Sequence, residues 1–156
     1  WTQDPAIGGG RIIGEGCHFV DLLRHLAGSP IDAIGAVAVR GADRRVPPDT
    51  VSATLHFANG AVGTIHYFAN GSKSFPKERL EVFCGGGILQ LDNFRSLTGF
   101  GWPGFSSLKS RRQDKGNRAC VAAFVTSVAE GRGSPIPFEE LVEVQEATMQ
   151  IAAAVA

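Results

Sequence analysis

The hydrophobic period changes twice along this chain, and that alternation limits the fold more than any single residue does. From Arg11 to Leu26 apolar residues recur at Ile12, Ile13, Phe19, Val20, Leu22, Leu23 and Leu26, the spacing of an amphipathic helix. Gly28 stands where a helix-ending glycine belongs, and Pro30 follows it. The period then falls to two. Residues 31–40, 50–58, 61–69, 79–84 and 87–92 read as strands, with weaker apolar pieces to about Leu108. Helical spacing returns after Gln113-Asp114, through Val121, Phe124, Val125 and Val128 to Gly131. A last helix starts near Phe138-Glu139-Glu140, with acids in the first turn where the helix dipole favours them. Helix, five or more antiparallel strands, then two helices predicts an α+β fold. Its sheet is open-faced and mostly antiparallel, with helices packed on one face.

Asn59-Gly60 between two alternating runs signals a two-residue type I′ hairpin. That turn pairs Ala58 with Ala61, Phe57 with Val62, Leu55 with Thr64, Ala53 with His66 and Val51 with Phe68. In this register His56 and His66 fall on opposite faces and cannot share a metal. Gly85-Gly86 is a second tight turn.

The 156 residues suit one domain, 1–156, and no linker long enough to divide it is visible. Lys+Arg and Asp+Glu number 15 each, so the basic excess of a nucleic-acid binder is missing. No apolar run reaches the ~18 residues of a membrane span. Nucleic acid and membrane are therefore set aside as partners. Cys17, Cys84 and Cys120 are odd in number and far apart, which points to reduced thiols in a cytoplasmic protein. The chain opens at Trp1 without a Met and stops at Ala156 inside a helical pattern, so a piece of a longer polypeptide is expected.

Few motifs bear chemistry. Gly99-Phe-Gly101-Trp-Pro-Gly104 matches G-x-G-x-x-G literally, but Pro103 lies inside it and no helical period follows. It reads as a turn-rich loop. Glu15-x-x-His18 places a carboxylate and an imidazole one turn apart on a helix, a candidate acid/base pair in which Glu15 orients His18. The second copy that a carboxylate metal centre needs is lacking, so no metal is expected. Asp21, Arg24 and His25 read as a solvated helix face. Cys17 and His18 diverge by about 100° as adjacent helix positions, which argues against a nucleophilic pair. Lys109, Arg111, Arg112 and Lys115 precede the helix near Asp114, and Lys109 and Arg111 are candidates for holding an anionic substrate. Gly14 and Gly16 lie inside the first helix at a cost of ~1 kcal/mol each, so a close approach to that backbone is expected.

The segment from Gly8 to Gly28, GGGRIIGEGCHFVDLLRHLAG, resembles the start of the C-terminal domain of the glucose–fructose oxidoreductase / inositol dehydrogenase group, Gfo/Idh/MocA. The resemblance continues through the Phe57-Ala-Asn-Gly60 hairpin, the Val82-Phe-Cys-Gly-Gly86 turn and Gln113-Asp-Lys-Gly116, and it ends in Pro135-Ile-Pro137 and the last helix. It implies the C-terminal substrate-binding and oligomerisation domain of a two-domain enzyme whose N-terminal Rossmann domain lies outside this chain. NAD or NADP would be bound mainly by that absent domain, and the substrate would be a sugar- or polyol-like small molecule. The open sheet face would build a homo-oligomer. A lysine of the absent domain would work beside the helix histidine, here His18. Relatives often carry Asp four residues before that histidine, and this chain has Gly14, with Glu15 the nearest carboxylate. Trp1 and Asp4 lie just before the motif and are candidate pocket residues. A parent enzyme with an inactive isolated fragment is the leading expectation. The alternative is a non-catalytic binding or assembly module, favoured by Gly14.

Overall fold

The computed structural model describes the backbone of residues 5–39 and 49–156, with side chains from Ile7 onward. The chain divides into two compact units, residues 1–70 with 136–156 and residues 71–135. No described helix is long and apolar enough to cross a membrane.

The first unit holds a short helix α1 (Pro5–Gly8), a π-helical turn (Ile12–Gly16), helix α2 (Cys17–Ala27), strands β1 (Ile31–Ala38), β2 (Thr50–Phe57) and β3 (Val62–Phe68), and helix α4 (Phe138–Val155). Its three strands form an antiparallel sheet in sequence order. β2 is the centre, and its odd positions Val51, Ala53, Leu55 and Phe57 are all buried against the helices. The helices answer with Ile12 and Val20 from the first helical run and Val144, Ala147 and Ile151 from α4. Gly63 of β3 lets α2 approach the sheet, since a Cβ there would lie 2.7 Å from Leu23 Cδ1. α2 ends at Gly28 with φ +60°, whose N–H donates to the Arg24 carbonyl.

Three expectations are corrected here. The β2–β3 turn has a three-residue loop: Phe57 N–H donates to the Ala61 carbonyl, and Gly60 N–H donates to the Phe57 carbonyl. Gly60 alone has positive φ, +85°, while Asn59 does not, so the turn is a type I turn with a glycine bulge. The register therefore moves by one, to Ser52↔His66, Val51↔Tyr67 and Leu55↔Gly63. His56 and His66 consequently share the outward face. Asn59 chooses this turn because its side chain is occupied elsewhere: Nδ2 donates to the Ala27 carbonyl at 2.9 Å, and Oδ1 accepts from Ala61 N–H at 3.0 Å.

Arg24 is buried at 8% exposure, where a solvated face was expected. Its Nε donates to Glu143 Oε2 of α4 at 2.9 Å, and the other oxygen of that carboxylate accepts from Ile31 N–H at the start of β1. One ion pair thus ties together α2, α4 and β1. Gly16 is buried as well, over a narrow space shared with Ile12, Val51 and Ile151. At that glycine a Cβ would lie 3.4 Å from Ile12 Cγ2, so the protein's own core lies against it.

The second unit is a meander of β4 (Arg79–Cys84), β5 (Gly87–Asp92), β6 (Ser96–Phe100) and β7 (Ser107–Lys109), followed by helix α3 (Asn117–Ala129). Gly85 and Gly86, with φ +56° and +84°, join Cys84 directly to Gly87. That is the two-residue type I′ geometry, here made by Gly-Gly. The antiparallel strands are therefore distributed over two sheets.

Candidate functional site

The first helical run opens with a widened turn. Residues Ile12–Gly16 adopt π-helical geometry before α2 continues from Cys17. Such single π-turns are uncommon and recur at functional sites. Gly14 and Gly16 both lie within this widened turn. Glu15 projects from this turn toward β3, where its Oε2 accepts a hydrogen bond from the Tyr67 hydroxyl at 2.7 Å. His18, one turn later, is exposed. Among the described residues Glu15 is bonded to Tyr67, and no hydrogen bond joins it to His18.

Tyr67 is half-buried. Phe19 of α2 packs its ring 6.2 Å from the phenol ring. Burial raises the phenol first, the hydrogen bond to Glu15 and its charge add to that, and nearby Arg11 pulls the other way, leaving the group pushed up to about 12. The phenol thus stays protonated at neutral pH and donates to the carboxylate. Arg11 also faces Asp49, its Nε 3.9 Å from Oδ2. The cluster of Arg11, Glu15, Tyr67 and Asp49 brings two cationic or donor groups and two carboxylates to one end of α2.

The other candidates belong to the second unit, to other positions of the first, or to residues outside the described structure. Trp1 and Asp4 fall outside the described residues. Lys109 ends β7 in the second unit, and Arg111 follows it, both exposed. The Arg111 carbonyl accepts from Arg95 Nη2 at 3.1 Å, which shapes the loop and leaves the guanidinium exposed. Lys115 is engaged by Glu78 and lies 5.7 Å above the Phe94 ring. Cys17 is half-buried, and burial pushes its thiol up, away from nucleophilic use. His66 Nδ1 meets Ser52 Oγ at 2.9 Å on the outward sheet face. Among the described residues no three His, Cys, Asp or Glu side chains converge as metal ligands.

The Gly99–Gly104 stretch leaves β6 and leads into β7, with positive φ at Gly101 and Gly104. A Cβ at Gly99 would lie 2.7 Å from the Phe105 ring. These glycines fold a turn over its own aromatic side chain, and no helix N-terminus follows to face a pyrophosphate.

Sequence reasoning missed Tyr67 and Arg11. The signal for Tyr67 was available: it is the sole tyrosine, and it sits on the inward phase of β3 once the turn is read as three residues. Arg11 stands seven residues before His18 and reads from sequence as an ordinary solvated charge.

Comparison with known proteins gives this cluster its context. A family profile described as GFO/IDH/MocA C-terminal domain matches residues 1–90. No curated protein matches the sequence. Among solved structures, UDP-N-acetylglucosamine 3-dehydrogenase GnnA from Acidithiobacillus ferrooxidans is similar at 18% identity and a TM-score of 0.78, covering 99% of this chain and 50% of that one. Aldose-aldose oxidoreductase from Caulobacter crescentus is similar at 18% identity and TM-score 0.72, covering 99% and 48%. Levoglucosan dehydrogenase in complex with NADH is similar at 20% identity and TM-score 0.74, covering 98% and 51%. At these identities the likeness is one of fold, and the chain spans about half the length of each structure. The profile match, which spans the Glu15–His18 segment and the β2–β3 hairpin, carries the assignment: this chain belongs to the GFO/IDH/MocA family as a C-terminal domain.

Proposed function

We propose that the chain is the substrate-side domain of an NAD(P)-dependent oxidoreductase acting on a sugar- or polyol-like hydroxyl. The observation that carries this reading is the exposed imidazole of His18 one turn beyond the Glu15–Tyr67 pair, within the segment the family profile matches. The printed activities of similar structures, a nucleotide-sugar 3-dehydrogenase and an aldose oxidoreductase among them, support the substrate class.

Oxidising a secondary alcohol removes a hydride from carbon and a proton from oxygen. A bound nicotinamide would supply the hydride acceptor. His18 takes the hydroxyl proton on an imidazole nitrogen, a task suited to a side-chain type whose ordinary pKa is ~6.5. The Gly99–Gly104 match is a strand-to-strand turn with no helix N-terminus after it. In this reading NAD or NADP is held by the part of the parent protein outside this chain.

NADH fluorescence titration of this chain and of the full parent protein, side by side, tests the division. Binding by the parent alone is expected. Binding by the isolated chain would show that a cofactor site resides here.

The outward face of the three-stranded sheet carries Val37, Val62 and Phe68, each more than half exposed. In this reading it joins copies of the parent into a homo-oligomer. Light scattering should show a lower mass for Phe68→Glu than for wild type, and an unchanged mass would remove the face from assembly. Gly14, at the position where the family resemblance expects a carboxylate, favours a second reading, a non-catalytic assembly module. That reading predicts no turnover by the parent on any polyol.

A further inference from the structure

We infer that α3 is a docking helix: its apolar stripe, Val121, Phe124, Val125 and Val128, packs against the part of the parent protein outside this chain. The inference rests on the proposed two-domain parent and goes beyond its catalytic reading.

α3 has the composition of a buried helix in an exposed place. From Ala119 to Ala129 it carries no charged residue, whereas a helix that faces solvent keeps a charged or polar side. Val121, Phe124, Val125 and Val128 recur at the spacing of one helix face, and each is more than half exposed. Charges flank the stripe without interrupting it. Arg118 precedes it, and Glu130 pairs with Arg132 after it at 2.7 Å. An apolar centre with a charged rim is the anatomy of a protein interface. Both ends of the helix are held: Lys115 Nζ pairs with Glu78 Oε1 at 2.5 Å just before it, and Ser127 Oγ donates to the Gly133 carbonyl at 2.5 Å. The open stripe lies between these two anchors.

The unit that carries α3 lacks a core of its own. No apolar side chain of residues 71–135 is buried. Cys84 and Cys120 are free thiols, and among the described residues no ligand set for a metal converges. A unit of this size needs a core, disulfides or a metal to stand alone. Its missing packing must come from a neighbour.

Size decides between a second copy and the rest of the parent. A helix like α3 is about 20 Å long and 10 Å across, so one side offers on the order of 200–300 Å². Separate molecules that associate stably bury roughly 800 Å² each. A tethered neighbour is already at high effective concentration and can hold the smaller contact. This chain covers 50% and 51% of two similar structures, so about as much of each lies beyond the match as within it.

Hydrogen exchange of the full parent protein, read by mass spectrometry, tests the docking. Amides of α3 are expected to exchange at least roughly 100-fold more slowly than free coil, unchanged by a roughly 100-fold dilution. Phe124→Glu should speed exchange in α3 and also in a segment of the parent outside residues 1–156, while α4 stays protected and reports a folded chain. Phe124→Ala removes the ring without adding charge and should act in the same direction, less strongly. Free-coil exchange in wild-type α3 would overturn the docking. Protection lost on dilution would assign the stripe to a second copy, and variants that leave every segment outside residues 1–156 unchanged would assign it to packing within this chain. Either result overturns the inference. NADH titration of the same wild-type parent keeps the two readings apart: absence of NADH binding ends the oxidoreductase reading, while the exchange result still decides the docking.

Discussion

Tyr67 faces Glu15 because the turn before it takes three residues. A two-residue turn at Asn59-Gly60 would pair Val51 with Phe68, send Phe68 inward and put Tyr67 on the open face, since a one-residue slip exchanges the faces of a strand. Asn-Gly is the right dipeptide for type I′, but Asn59 is already bonded to the end of α2 through the Ala27 carbonyl. That tertiary contact is invisible in local sequence, so the hairpin was legible and its register was not. The consequence is measurable at the phenol. A group whose folded pKa exceeds its unfolded value contributes stability that is complete below the unfolded value and lost as pH rises through the folded one. For Tyr67 the window runs from about 10, the ordinary value, to about 12. Urea denaturation should therefore show wild-type stability falling relative to Tyr67→Phe as pH rises from 9.5 to 11.5, in steps of about 0.5. Parallel curves for the two proteins would contradict the buried, carboxylate-bound phenol.

At the scale of elements, the strands and helices were readable because period two and period 3.6 alternate cleanly. Strands read at 79–84 and 87–92 coincide with β4 and β5, and the expected start of the last helix near Phe138 is where α4 begins. The solvated appearance of Arg24 misled for a simple reason: a charged residue spaced with Asp21 and His25 looks like surface unless the partner on another helix is known. That partner, Glu143, lies 119 residues away. Its carboxylate also accepts from the first N–H of β1, so α2, α4 and the sheet share one buried anchor. Glu143→Ala should destabilise the fold by about 3 kcal/mol, the lower part of the range for breaking a buried pair, because Glu143 keeps a quarter of its side chain in solvent. Replacing both partners with apolar residues, Arg24→Met with Glu143→Leu, should cost less than the single change. Urea midpoints of the three proteins decide it, and a larger loss in the double variant would show that the pair stabilises the fold beyond packing.

At the scale of the whole molecule, the proposed reading gives this chain one half of a chemistry. Its own residues offer an exposed imidazole, a pinned carboxylate and an apolar sheet face, and its glycine-rich loop closes a turn where a nucleotide cradle would need a helix. The π-turn explains why the candidate site was only partly legible. Glu15 and His18 were singled out from their spacing, yet spacing assumes a regular helix. The widened turn sends Glu15 to Tyr67 on β3 instead of to His18. The decisive measurement is steady-state turnover of the full parent protein on a polyol substrate, wild type against His18→Ala, with NADH affinity measured on both. A fall in kcat of roughly 10²–10⁴ at unchanged NADH affinity is predicted, the usual effect of losing a positioned general base. Equal turnover by the two proteins would remove His18 from the proton step and contradict the proposed role of this domain.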